Sequence, residues 1–151
     1  MKKFLLSGSM LLIVTAVIIF SQYSLSDPNV MKVYKTETCG CCNDWIDHIE
    51  AAGFKVESTN LAQLHTKKIE LGIPAILASC HTAVIDGYVI EGHVPASDIQ
   101  KLLNLKPDVT GLTVPGMPHG SPGMETGRVD SFDVLTFEKG SDKTRIWASY
   151  P

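Results

Sequence analysis

Val30-Met31-Lys32-Val33-Tyr34 followed by Cys39-Gly40-Cys41-Cys42-Asn43-Asp44-Trp45-Ile46 is the stretch on which the architecture turns. The first part alternates apolar and polar residues as a short strand does, and from Asn43 to Ala52 the positions of Trp45, Ile46, Ile49 and Ala52 follow helical spacing. Three of the chain's four cysteines therefore sit in the loop of a strand–loop–helix unit. At a helix start the unpaired backbone N–H groups and the positive end of the dipole favour thiolate over thiol, the form that attacks disulfides and binds metal. Three cysteines cannot all pair among themselves. A local disulfide leaves one over, to be completed by Cys80 or by a partner protein.

Moving toward the C-terminus, Gly53 has the place of a helix-ending residue, and Phe54 to Ser58 alternates as a second strand. Asn60 can cap a helix from Leu61 to about Leu71, which predicts a βαβ unit with parallel strands. Gly72-Ile73-Pro74 reads as a turn or helix stop, with a cis-proline loop facing the cysteines as the second reading. Thr82 to Ile85 and Tyr88 to Glu91, joined by Asp86-Gly87, predict an antiparallel hairpin, because Asp-Gly is a favoured two-residue turn. Pro95 fits the first turn of a helix that ends near Asn104. The order β-α-β-α-β-β-α is that of a thioredoxin-like α/β domain. Residues 106–126 are dense in proline and glycine, so no regular element is expected there, and a loop of that length is usually functional or disordered. A C-terminal β-hairpin is expected over 132–148.

Hydrophobic residues make up 44% of the 151, in part because Lys2-Lys3 precede an apolar run from Phe4 to Phe20. Residues 1–26 are expected to be a signal peptide, cleaved after Ser24-Leu25-Ser26, or an N-terminal membrane anchor, and 27–151 one domain. The predicted location is periplasmic, or anchored in the inner membrane and facing the periplasm, with the membrane touched only through that segment. Setting Lys2 and Lys3 aside leaves eleven basic against sixteen acidic residues, a net charge of −5, and no Lys/Arg cluster. Nucleic acid is not an expected partner.

Cys39 and Cys42 have the Cys-x-x-Cys spacing of a thiol–disulfide oxidoreductase. Cys41 between them offers competing disulfides, whereas three thiolates on one turn suit a metal that tolerates bridging sulfur. Soft thiolate sites select Cu(I), zinc or iron–sulfur clusters, and outside the cytoplasm copper leads. Cys80-His81 lies between the proline and the hairpin and can add a fourth sulfur and an imidazole, or else close a structural disulfide to one of the first three cysteines. His93, just past the hairpin, is similarly placed. A histidine alone is more often a satisfied core or surface residue than a ligand. His48 falls on the helix face of Cys41 and serves either as an outer ligand or as a surface partner of Asp44; His65 reads as exposed. Met117, His119 and Met124 are of ligand types suited to copper, with Met117 ahead of Met124, although a methionine filling gaps in the loop explains them equally. Nothing in the sequence supports a hydrolase or a nucleotide-binding protein.

Cys-Gly-Cys-Cys with Trp45, Cys-His-Thr-Ala at 80–83, Gly-Tyr-Val-Ile-Glu-Gly-His-Val-Pro-Ala at 87–96 and Val-Pro-Gly-Met-Pro at 114–118 together resemble the CopG-type copper-resistance proteins. The resemblance runs from Met31 to Ala148. It implies a periplasmic thioredoxin-like fold, a multinuclear copper cluster bridged by cysteine sulfur, and a part in copper tolerance, with cycling between Cu(I) and Cu(II). It also implies Cys39, Cys41, Cys42 and Cys80 as ligands, with His81 and His93 leading among the histidines. The expected partners are copper ions and periplasmic copper-handling proteins. An enzyme using Cys39 and Cys42 as a redox pair is the alternative.

Overall fold

The computed structural model describes residues 30–151. The apolar run and the segment 1–26 lie outside them, and among the described residues no helix is long and apolar enough to cross a membrane. Seven strands form one mixed sheet in the order β2-β1-β3-β4-β5-β6-β7. They are β1 Val30–Lys35, β2 Lys55–Asn60, β3 Thr82–Ile85, β4 Tyr88–Glu91, β5 Gly111–Thr113, β6 Phe132–Phe137 and β7 Thr144–Tyr150. Three helices connect them: α1 Gly40–Ala51, α2 Leu64–Glu70 and α3 Ala96–Leu105. Residues 30–105 thus follow the predicted order β-α-β-α-β-β-α.

Strand alternation divides the sheet between two layers. Met31 and Val33 of β1 face α1 and α3, where they pack with Trp45, Ile49, Ile99 and Leu102, all fully buried. A second cluster of Ile73, Leu77, Val89 and Phe137 is buried separately. It lies on the side of α2, where Lys67 sits 5.0 Å above the Tyr34 ring. Neighbours Val89 and Ile90 fall in different clusters because successive strand side chains point to opposite faces. Each such side chain removed from water stabilises the fold by roughly 1.5–3 kcal/mol before entropy is counted.

The parallel pairing of β1 with β2 and the Asp86-Gly87 hairpin are as expected; Asp86 and Gly87 have φ of 46° and 83°, the left-handed pair that a two-residue turn needs. Several local expectations are corrected. Helix α1 begins at Gly40, so Cys41 and Cys42 lie inside its first turn rather than before it, with Cys39 extended as its N-cap. Asn60 is the last residue of β2, opposite Lys35, and not a cap; Leu61 N–H donates to the Lys35 carbonyl at 2.8 Å, which delays α2 to Leu64. None of the described peptide bonds is cis, so Pro74 is trans and opens a 3-10 turn over Ala75–Leu77. The proline- and glycine-rich segment does hold a regular element. Strand β5 is wholly buried and pairs parallel with β4 and antiparallel with β6, its Gly111 lying so close to Val89 that a Cβ would meet the Val89 carbonyl oxygen. A glycine here is what lets the strand approach. Strands β6 and β7 pair antiparallel with an irregularity at Val134/Leu135.

Candidate metal centre

Three segments converge at the N-terminus of α1. The first turn of that helix presents Cys39, Cys41 and Cys42. Chain entering β3 supplies Cys80 and His81, and the residues leaving β4 supply His93. Cys39 and Cys42 are joined in a disulfide, while Cys41 and Cys80 are free. The disulfide therefore falls on the Cys-x-x-Cys pair and does not reach Cys80. The Cys80 sulfur lies 3.6 Å from that of Cys42 and 3.8 Å from that of Cys41, which is itself 3.6 Å from Cys39. It also lies 3.3 Å from His81 Nδ1 and 3.0 Å from His93 Nε2. Two overlapping donor sets result, the four cysteines and Cys80 with His81 and His93, each with ligand atoms within 4.8 Å of one another.

The imidazoles are oriented from outside the site. His93 Nδ1 donates to the Pro122 carbonyl at 2.8 Å, which turns the Nε2 lone pair toward Cys80. His81 is fully buried between Trp45, at 4.3 Å between ring centroids, and the edge of His93 at 5.0 Å. With Nδ1 toward Cys80, its Nε2 is buried without a hydrogen-bond partner. Burial, then the neighbouring His93 and the Lys68 ammonium, holds His81 well below the ordinary histidine range; burial also lowers His93. Both are held as neutral rings, the form that donates to a metal. Burial, and next the Cys41 sulfur, pushes the Cys80 thiol up to about 12. The thiolate bias expected at the helix start does not extend to Cys80, which comes from another segment.

Trp45 and the covering segment close the site. The Trp45 indole donates to the Val94 carbonyl at 3.0 Å, tying α1 to the residue after His93. Pro122-Gly123 lies directly on the cysteine turn: a Cβ on Gly123, whose φ is +80°, would stand 2.7 Å from both the Cys41 carbonyl and the Trp45 nitrogen. Upstream, Gly116 N–H donates to the Ala78 carbonyl and accepts from the Ser79 hydroxyl at its own carbonyl. Met117, one residue on, is half exposed. His119 is taken up by Thr126 at 2.6 Å. His48 turns its Nε2 to α3, where it accepts from Ala96 N–H at 3.1 Å and caps the helix. His65 is exposed, as read from sequence.

Behind the site, on the α2 face of the sheet, Lys68 and Glu91 form a buried ion pair at 2.5 Å. Burial raises the Glu91 carboxyl, opposed by the Lys68 ammonium. Neither residue stood out in the sequence, although the signals were present. Glu91 shares a strand face with Val89, and Lys68 lies one helical turn after Leu64, so both alternations point inward.

With this geometry in place, comparison with known proteins becomes specific. Two solved structures, named Copper resistance protein copG, Form 2 and Form 1, are each 47% identical to this chain. They cover 83% of it and 100% and 99% of their own lengths, with TM-scores of 0.77 and 0.76. The chain belongs to the CopG family. A family model described as a protein of unknown function, DUF411, matches residues 77–124, the span that carries Cys80, His81, His93 and Pro122-Gly123. No curated protein matches the chain. In CopG terms the mixed sheet with three helices is the shared scaffold, and the Cys/His constellation is a group able to hold metal.

Proposed function

We propose that this chain is an exported copper-resistance protein that holds a multinuclear copper cluster bridged by cysteine sulfur and cycles it between Cu(I) and Cu(II). The observation that carries this reading is the meeting of four sulfurs and two neutral imidazoles from three separate segments. The proposed ligands are Cys39, Cys41, Cys42 and Cys80, with Nδ1 of His81 and Nε2 of His93. Met117 is an outer candidate carried by the segment tethered at Gly116. Four sulfurs cannot separately satisfy several ions, so the thiolates bridge. Soft sulfur with neutral imidazole fits Cu(I) and tolerates Cu(II), and bound copper supplies the one-electron chemistry between them.

Full use of the site requires the Cys39–Cys42 disulfide to open. Two electrons and two protons convert it to two thiols, and a dithiol reductant of the compartment supplies them. Periplasmic location is supported by Lys2-Lys3 and the apolar run that follows, as a cleaved signal peptide or an anchor ahead of a domain over 27–151. The neighbour order β2-β1-β3-β4, with β1 and β2 parallel, supports a thioredoxin-like core. Copper ions, and copper-handling proteins of the same compartment, are the proposed partners.

Copper per chain and free thiols, measured on the full chain purified anaerobically from copper-fed cells, test the proposal. Several coppers per chain are expected, and Cys41→Ser should lower that number sharply. A Cys41→Ser protein with the full complement would sink the cluster. The disulfide at the helix start favours a second reading, a thiol–disulfide oxidoreductase using Cys39 and Cys42. That reading requires the metal-free Cys41→Ser chain to reduce insulin and the Cys39→Ser chain to fail.

A further inference from the structure

We infer that the buried Lys68–Glu91 pair is a positioning device for the metal centre. Acting from the face of the sheet opposite Trp45 and His81, it clamps the backbone on both sides of Cys80-His81 and fixes where Cys80, His81 and His93 meet. This deepens the copper-site reading above and rests on it.

The pair is placed where the ligand-bearing segments meet. Glu91 Oε1 accepts from Ser79 N–H at 2.6 Å and from Lys68 Nζ at 2.5 Å, while Oε2 accepts from the Thr82 hydroxyl at 2.6 Å. Ser79 and Thr82 are the residues on either side of Cys80-His81. Lys68 Nζ donates in addition to the Thr82 hydroxyl at 2.8 Å and to the His81 carbonyl at 3.3 Å, so its three protons all have acceptors. The same His81 carbonyl accepts from Gly92 N–H at 3.1 Å, one residue before His93. One carboxylate and one ammonium thereby hold the backbone under all three members of the Cys80–His81–His93 set without touching their ligand atoms.

Stability alone does not account for the pair. A buried ion pair loses about as much in desolvation as it gains in attraction, and an apolar pair of similar volume is often equally stable or more so. The same face already carries Ile73, Leu77, Val89 and Phe137, among which such a pair would pack. What an apolar pair cannot do is bind Ser79 N–H and the His81 carbonyl at fixed distances. Groups that orient metal ligands from behind change metal affinity by about 10- to 100-fold when replaced.

The full chain, the Glu91→Gln variant and the double variant Lys68→Met with Glu91→Leu are compared. Thermal melting of the metal-free proteins reads the fold. Competition for Cu(I) against a chromogenic chelator, with the sulfur-to-copper charge-transfer absorption, reads the site. The double variant is expected to fold but to melt below the parent, because Ser79 N–H and the Thr82 hydroxyl lose their acceptor, and to hold Cu(I) about 10- to 100-fold less tightly with a shifted absorption. Glu91→Gln, which keeps the shape, is expected to move the same way by less. Variants that fold and hold Cu(I) within about twofold of the parent, with the parent's absorption, overturn the proposal. Should the double variant not fold, Glu91→Gln decides by the same criterion. A parent chain that takes up no Cu(I) overturns the site reading itself and this proposal with it.

Discussion

On the helical side of the candidate metal centre three cysteines share four residues, and one turn of α1, cross-linked by the Cys39–Cys42 disulfide and covered by Pro122-Gly123, presents them. On the hairpin side Cys80, His81 and His93 are separated by β3 and β4. Their meeting depends on Glu91 of β4 itself and on Lys68, Trp45 and the Pro122 carbonyl, which come from three other parts of the chain. The helical arm is a matter of spacing and the hairpin arm a matter of tertiary packing. Damage to packing should therefore disable the second arm while the first stays formed, and the two arms should part company under mutation.

The heaviest blow to that contrast is at Trp45, which stands on the helical arm but supports the hairpin arm through His81 and Val94. Trp45→Ala should cost about 3–5 kcal/mol in denaturant unfolding, as large-to-small changes of a buried tryptophan do. A loss under about 1 kcal/mol would show that the arms stand independently. Gly123→Ala comes next. Its left-handed backbone and the closeness of Cys41 and Trp45 predict about 1–3 kcal/mol of destabilisation and a loosened hold of Pro122 on His93. An unchanged melting curve would mean the covering segment does not bear on the cysteines.

The smallest expected effect is at His48. Replacement by alanine removes the acceptor for Ala96 N–H at the start of α3, a cap-like loss of about 0.5–2 kcal/mol. Burial, opposed by Glu125, holds His48 below its ordinary 6.5, so the folded chain keeps it neutral. As pH falls below about 6.5 the unfolded chain takes up this proton first, and stability declines until the folded value is passed. His48→Ala should lack that part of the decline when melting is compared at pH near 7.5 and 5.5. An identical decline in both proteins would assign it to other groups.

What could be read from sequence follows the same division. The Asp86-Gly87 hairpin and the parallel βαβ opening are set by spacings of a few residues and stand in the structure as read, while the cysteine turn stands with Cys41 and Cys42 drawn into the helix. Asn60 and the stretch 106–126 depart from the reading because each has a local habit, as cap and as breaker, that its strand context overrides; of the two readings of Pro74 the turn stands and the cis-proline does not. The gathering of Cys80, His81 and His93 was legible as a motif and its mechanics were not. Which carbonyl orients His93, and which charges lie behind Cys80, depend on chain far away in sequence.

Strands β5 and β6 are immediate neighbours in the sheet, with Thr113 opposite Leu135, so everything from Val114 to Ser131 is an excursion whose two ends are already side by side. Lengthening such an excursion is thermodynamically mild, each doubling costing only about 0.6 kcal/mol of closure entropy. Pro122-Gly123 pins the excursion to the cysteine turn, and Gly116, bonded to Ala78 and Ser79, pins it beside Cys80. Evolution or engineering can therefore retailor the stretch beyond Gly123, up to Ser131, altering what approaches the sulfurs, without disturbing the strands that bring them together.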